Sequence, residues 1–352
     1  MSDSHARRKQ DHLRICRDED VGSRGISTGL ERYRLLHNAL PELNLADVDL
    51  SAQFLGHPLR APVLVSAITG GTARAERINL HLAEAAEKLG LAMSVGSQRA
   101  ALEDPRQERT YQVRRVAPHI LLFANLGAVQ LNYGYSVDQC RRAVEMIQAD
   151  ALVLHLNSIQ EALQPHGNTD FSGLLRRISC VCRDVGVPVI VKEVGWGVSG
   201  AVAKQLQDAG VAAVDVAGAG GTSWSEVELH RATDPLRRRL ARDLAGWGVP
   251  TAEALLQCRT AAPTLPLVAS GGIESGPQAA VALALGAELV GLARPLLIPA
   301  MSSEKAVINE LTVVIEGIRL AMFGCGADSI AALRSMAVAE IPPPVPQLRG
   351  YM

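Results

Sequence analysis

Short apolar runs recur along this chain at the spacing of β-α units, and each ends in glycine, a polar group or a charge. The runs lie at 62–68, 92–96, 120–124, from 151, and at 188–191, 212–216, 266–269 and 289–292. They do not alternate apolar with polar residues, as strands covered on both faces need not. Helical periodicity fills the gaps. Residues 73–91 place Ile78, Leu82, Ala86 and Leu89 on one face, and 137–148 turn Val137, Cys140, Val144 and Ile147 inward. Further helices are expected from about Pro105, near 171–185, and at 200–209 and 276–285. Eight such units predict a closed (β/α)8 TIM barrel of about 250 residues, here over roughly 60–300, with an open doubly wound sheet as the alternative. Residues 1–60 form an N-terminal extension of weak periodicity. Residues 223–249 are a long, Arg-rich insertion after the sixth strand, and a C-terminal helical appendix starts at Lys305. None of these pieces reads as a separate unit, so one domain over 1–352 is expected.

Lys plus Arg total 35 against 36 for Asp plus Glu, so no field of one sign points to nucleic acid or to an anionic membrane. Any anionic ligand must be held by local positive groups. No apolar run approaches the ~20 residues of a membrane span. The start is polar and basic without a secretory core. The six cysteines form no Cys-x-x-Cys pair and read as reduced packing residues, so a cytoplasmic location is expected.

A parallel barrel binds its ligand at the carboxyl ends of its strands. Those ends read Thr69-Gly70-Gly71, Ser97-Gln98-Arg99, Asn125, His155 with Asn157, Lys192, Gly220-Gly221-Thr222, Gly271-Gly272 and Ala293-Arg294. The opposite ends carry mainly prolines and apolar residues. The fourth end is the densest. Strand alternation sends His155 and Asn157 to one face, and Gln160 and Glu161 are expected in the loop that follows. Singly, these four read as satisfied core polars or solvated loop residues; together they read as a site.

Gly271-Gly272 and the segment from Gly291 to Arg294 follow strands seven and eight, where barrels bind phosphate through backbone N–H groups and a helix N-terminus. Lys192 points into the mouth, where it can hold an electron-rich cofactor ring or pair with Glu161 or Glu193. Glu161 offers one hard oxygen to a Mg²⁺ that keeps waters and shares a substrate phosphate. Arg8-Lys9-Gln10-Asp11-His12 gathers cationic side chains, yet by itself reads as a solvated terminus. There is no Ser-His-Asp order and no His/Cys cluster.

Seven stretches together resemble type 2 isopentenyl-diphosphate isomerases: Arg8-Lys9-x-x-His12, Ala67-Ile68-Thr69-Gly70-Gly71, Gly96-Ser97-Gln98-Arg99, His155-Leu156-Asn157-x-x-Gln160-Glu161, Lys192-Glu193-Val194-Gly195, Gly220-Gly221-Thr222-Ser223-Trp224 and Ser270-Gly271-Gly272-Ile273. The resemblance runs from about residue 7 to 340. It implies an FMN-dependent barrel that interconverts isopentenyl and dimethylallyl diphosphate in isoprenoid biosynthesis, with no net redox change. The flavin works reduced, with NADPH as reductant and Mg²⁺ on Glu161. The resemblance assigns FMN to Ala67, Ile68, Thr69, Ser97, Asn125, Lys192, Thr222, Gly271, Gly272, Ile273, Ala293 and Arg294. It assigns the diphosphate to Arg8, Lys9, Ser97, Gln98, Arg99, His155, Asn157 and Gln160, with Gln160, His155 and Asn157 nearest the reacting carbons. It further implies a large homo-oligomer, an octamer in the family's habit. One position departs: the family usually carries Arg where this chain has Glu274.

Two enzyme classes share such barrels. An α-hydroxyacid oxidase needs His-Gly-Gly-Arg after a late strand, and Ala219-Gly220-Gly221-Thr222 has neither flank. An inosine-monophosphate dehydrogenase needs a nucleophilic Cys in a similar loop, and none follows Gly221. A non-catalytic flavin or prenyl-diphosphate carrier would have no use for Gln160 and Glu161.

Overall fold

The computed structural model describes residues 2–341 of the chain. The N-terminal extension is ordered: a long helix, α1 (Ser2–Asp18), leads to the short strands β1 (Tyr33–Leu35), β2 (Ala52–Phe54) and β3 (His57–Leu59). The alternating units follow as β4 (Val63–Val65), α2 (Ala73–Leu89), β5 (Ala92–Ser94), α3 (Arg99–Glu103), β6 (Leu121–Gly127) and α4 (Val137–Ile147). Next come β7 (Ala151–His155), α5 (Ser158–Leu163), α6 (Leu174–Asp184), β8 (Val189–Lys192), α7 (Gly200–Asp208) and β9 (Ala213–Asp215). The insertion holds α8 (Trp224–Arg231) and α9 (Pro235–Asp243), and α10 (Thr251–Ala261) returns the chain to the barrel. The end of the described chain is β10 (Leu267–Ser270), α11 (Gly276–Ala284), β11 (Leu289–Leu292), α12 (Arg294–Ser302), α13 (Glu304–Cys325), α14 (Ile330–Ser335) and β12 (Val338–Glu340). The part of the expected C-terminal appendix beyond residue 341 lies outside the described residues.

β4 to β11 run parallel in sequence order, and β11 pairs back onto β4 (Val290 beside Val63), closing the barrel. Helix ends follow local chemistry. Thr72 caps α2 by accepting from the N–H of Ala75, and Gly90 ends it at φ 66°. Ser136 and Gln139 make a reciprocal capping box on α4. The barrel interior is filled by Leu64, Leu121, Phe123, Val153, Ile190, Val268 and Leu289. Its lower end is stopped by the β2–β3 hairpin, whose Phe54 and Leu59 join this cluster. Phe54 meets Phe123 at 6.2 Å between ring centroids. Among the described residues no helix is long and apolar enough to cross a membrane.

The C-terminal helical segment completes the outer ring, because α13 packs against both α2 and α11. The approach is backbone to backbone: a Cβ on Gly276 would lie 2.3 Å from the carbonyl carbon of Gly317. Three expectations change at their ends. The first strand stops at Val65, two residues before the Ala67–Thr69 turn begins. The helix expected from Pro105 is a 3-10 turn, Pro105–Tyr111, preceded by α3. Pro105 cannot donate to α3 and forces Asp104 to extended angles, φ −140° and ψ 101°, which separates the two. Gln160 and Glu161 sit in α5 and not in a loop.

Candidate active site

A cavity of about 300 Å³ opens at the carboxyl ends of the strands. Every residue expected at the site lines it except Gln98. Gln98 is fully buried; its Nε2 donates to Ala143 O at 2.8 Å and its Oε1 accepts from the N–H of Asn125 at 2.9 Å. With both ends of the amide used inside the protein, Gln98 positions the end of β6 and is not available to a ligand.

Helix α1 forms the roof. Leu13 and Ile15 are buried, and Ile15 and Val21 pack on Val227 of α8. The cations one turn earlier are thereby carried over the mouth. Arg8 Nη1 donates to Gln164 Oε1 at 2.8 Å. Lys9 Nζ donates to Ser97 O at 2.9 Å and to the Tyr111 hydroxyl at 2.8 Å. The Tyr111 hydroxyl in turn donates to Ser97 O at 2.7 Å. Burial, reinforced by the neighbouring Arg8 charge, brings Lys9 down to about 7. Burial also lowers Arg8, against the pull of Glu161. Buried cations of this kind can be stabilised by an anion as counter-charge.

The reactive wall comes from β7 and α5. β7 ends at His155, and Asn157 leaves strand geometry at φ −144°, ψ 43° to start α5. That break turns Gln160 and Glu161 inward from a helix, where both are buried. Asn157 Nδ2 donates to Gln160 Oε1 at 3.2 Å and to Glu161 Oε1 at 3.1 Å. The N–H of Asn168 donates to Glu161 Oε2 at 2.6 Å. Asn157 Oδ1 is buried without a hydrogen-bond partner. His155 Nδ1 lies 2.8 Å from Asn125 Oδ1, so Nδ1 carries the hydrogen and Nε2 keeps its lone pair. Burial first, then the Lys192, Lys9 and Arg8 charges, bring His155 down to about 4, so the imidazole is neutral.

Lys192 marks the floor. It pairs with neither Glu161 nor Glu193 through a carboxylate. Its Nζ donates to the carbonyl of Glu193 at 2.8 Å and lies 3.5 Å from Asp215 Oδ2, with Asp215 2 % exposed. The Glu193 carboxylate is instead taken by the N–H groups of Val194, Gly195, Trp196 and Gly197, and burial still pushes it up to about 7. Asp215 is the last residue of β9, within the run 212–216 that shows no sign of a site in the sequence. In the sequence His12 is a member of a basic segment and of the Arg8-Lys9-x-x-His12 stretch, with no partner indicated. Its Nε2 meets Glu228 Oε1 at 3.1 Å, and its ring sits edge-on to Trp224.

The far wall suits a flavin phosphate. Gly271 and Gly272 have positive φ, 101° and 75°, and a Cβ on Gly272 would meet Thr28 and Gly220, so these loops approach closely only as glycines. Beside them α12 begins at Arg294 behind Ala293, an N-cap with no side-chain capping bond; Pro295 has no N–H and that of Leu296 donates to Ala293 O, so the Arg294 N–H is the one the helix start leaves to an anion. Ser66 Oγ, buried and unpartnered, also borders the cavity. The donor set and glycine walls fit FMN. No group of three His, Cys, Asp or Glu able to hold a metal forms among the described residues.

A family model described as FMN-dependent dehydrogenase matches residues 3–117 and 138–340. A protein of Synechococcus sp. called isopentenyl-diphosphate delta-isomerase is 54% identical over 331 residues, 94% of this chain and 95% of the relative. One of Stutzerimonas stutzeri with the same name is 52% identical, covering 95% of this chain and 97% of its own. Mandelate oxidase solved with (S)-mandelic acid shares the fold at TM-score 0.67 and 18% identity, over 96% of this chain and 98% of that one. The roof of cations, the neutral histidine and the glycine-walled cavity thus occur in a chain that belongs to the isopentenyl-diphosphate delta-isomerase family, on an FMN-dependent dehydrogenase barrel.

Proposed function

We propose that this chain interconverts isopentenyl and dimethylallyl diphosphate in isoprenoid biosynthesis, as one FMN-binding domain working in a cytoplasmic homo-oligomer, octameric in its full form. The observation that carries the reading is the meeting of Arg8 and Lys9 from the far N-terminus with Gln160 and Glu161 in one cavity. The reaction adds a proton at C4 of an unactivated alkene and removes one from C2, so protons balance and no electrons are consumed. FMN held in its reduced state, with NADPH as the reductant, supplies a group acidic enough to protonate such a double bond.

The chain's own residues bind, orient and keep the site dry. Ala67, Ile68, Thr69, Ser97, Asn125, Thr222, Gly271, Gly272, Ile273, Ala293 and Arg294 would hold FMN, with Lys192 balancing negative charge on the ring. Arg8, Lys9, Ser97 and Arg99 would hold the diphosphate. Mg²⁺ would use Glu161 with phosphate oxygens and water, since a single carboxylate suffices for an ion that keeps most of its hydration. His155, neutral and fixed by Asn125, and Asn157 would orient the chain of the substrate. Gln160 stands where a proton near the reacting carbons is placed or relayed. The roof of α1 excludes water from the alkene.

The test is turnover. FMN-loaded protein with Mg²⁺ and isopentenyl diphosphate, under anaerobic conditions with NADPH, should form dimethylallyl diphosphate far in excess of the NADPH oxidised. In air, with the flavin oxidised, it should be inactive. Product in strict proportion to NADPH, or full activity with oxidised flavin, refutes the isomerase reading.

A further inference from the structure

The Arg-rich insertion has a job that its exposed position hides. Two adjacent arginines of α9 reach the ends of two different helices. Arg237 Nη1 donates to the carbonyls of Leu163 and Gln164, both at 3.0 Å, and lies 3.5 Å from that of Ala162. Arg238 Nη1 donates to the carbonyls of Leu229 at 3.1 Å and Ala232 at 3.2 Å. The first set closes the C-terminus of α5, the second that of α8.

Both helices are short, 6 and 8 residues, below the length that sustains itself in water. Their last carbonyls have no intrahelical partner and form the negative end of the helix dipole, where a guanidinium binds best. α5 carries Gln160 and Glu161, and α8 carries Trp224 and Glu228. Behind them Leu163, Leu229 and Ala241 form a small apolar cluster apart from the main core, so the three helices pack against one another. Gln164 links this brace to the roof: its carbonyl takes Arg237 and its side-chain oxygen takes Arg8.

We propose that Arg237 and Arg238 are positioning residues: Arg237 fixes α5, and with it the Gln160–Glu161 wall, while Arg238 fixes α8. The insertion is then a brace for the reactive wall. The functional half of this inference rests on Glu161 as the Mg²⁺ residue.

The test compares full-length FMN-loaded wild type with Arg237→Gln, Arg238→Gln and Arg237→Lys, by amide hydrogen exchange and by the Mg²⁺ dependence of turnover. Losing the two hydrogen bonds of a charged donor, partly offset by the glutamine amide and by water, changes a local equilibrium by about tenfold. Arg237→Gln should speed exchange in 160–164 by about that factor and leave 228–232 alone, raise the Mg²⁺ concentration for half-maximal rate several-fold, and leave FMN affinity unchanged. Arg238→Gln should speed exchange in 228–232 and leave the Mg²⁺ requirement alone. Arg237→Lys should restore most of the protection. Equal changes in both segments with either variant, or no change in 160–164 with Arg237→Gln, overturns the brace. If wild type has no isomerase activity the functional reading falls, and the exchange pattern still decides whether the brace exists.

Discussion

Lys9 gives the sharpest quantitative prediction. Burial on the inner side of α1 and the adjacent Arg8 bring its ammonium down to about 7. It spends two donors on Ser97 O and Tyr111 and has one left for an anion. A bound diphosphate favours the charged form, so binding takes up a proton wherever free Lys9 is neutral. The sign follows. Affinity is full below 7 and falls as pH rises through it. With half the free lysine charged at pH 7 and about one in eleven at pH 8, affinity should fall about fivefold between them and about tenfold over the next unit, the latter worth about 1.4 kcal/mol. The window from pH 7 to 9 lies above the substrate's own last phosphate ionisation near ~6, which would act the other way.

Tyr111 does not interfere, because burial raises its hydroxyl far above this range. Glu193, pushed up to about 7, does titrate nearby, so a control is needed. In Lys9→Gln the lysine term is gone and Glu193 remains. Calorimetric titration of the FMN-loaded enzyme with isopentenyl diphosphate should show a steep loss of affinity from pH 7 to 9 in wild type. The variant should bind weakly and almost independently of pH, the two converging at pH 9. A flat wild-type profile, or the same slope in Lys9→Gln, refutes the assignment of Lys9 to the anion.

Three further outcomes are expected. Glu161→Gln should retain FMN while raising the Mg²⁺ requirement at least tenfold; an unchanged Mg²⁺ titration removes Glu161 from the metal. Phe54→Ala should leave a cavity at the foot of the barrel and cost about 3 to 5 kcal/mol by denaturant titration, since Phe54 is buried against Phe123. A loss below about 1 kcal/mol would mean that the hairpin does not plug the interior. Glu274, exposed on the rim of the cavity next to Gly271, Gly272 and Ile273, should repel an anionic cofactor weakly, so Glu274→Arg should tighten FMN a few-fold in fluorescence titration at low salt, and less so at high salt.

Periodicity points to the parallel α/β class and to eight units. Eight apolar runs separated by amphipathic helices bury both faces of a parallel sheet either in a barrel or in an open doubly wound sheet, the pairing of β11 with β4 decides for the barrel, and polar strand ends tell which rim carries the site. The strand-end residues Asn125, His155, Lys192, Gly271 and Gly272 were legible for the same reason, since side-chain direction in a strand is a local property. What sequence could not supply was anything decided by packing across the fold. The run around Arg8 and Lys9 reads as a solvated tail by its own composition, and only burial of Leu13 in the main core and of Ile15 against Val227 of the insertion lays it over the mouth. Gln98, next to two site residues, is turned away because α4 offers a carbonyl to its amide. Lys192 found Asp215, a residue far off in sequence within an apolar strand, because β8 and β9 are neighbours and both side chains face the interior. Arg237 and Arg238, plain surface charges in one dimension, reach two helix ends that only the folded chain brings beside them. Local chemistry dictates which element forms and how it is capped; long-range contacts dictate which buried polar group meets which partner, and that pairing is where the electrostatics of the site are set.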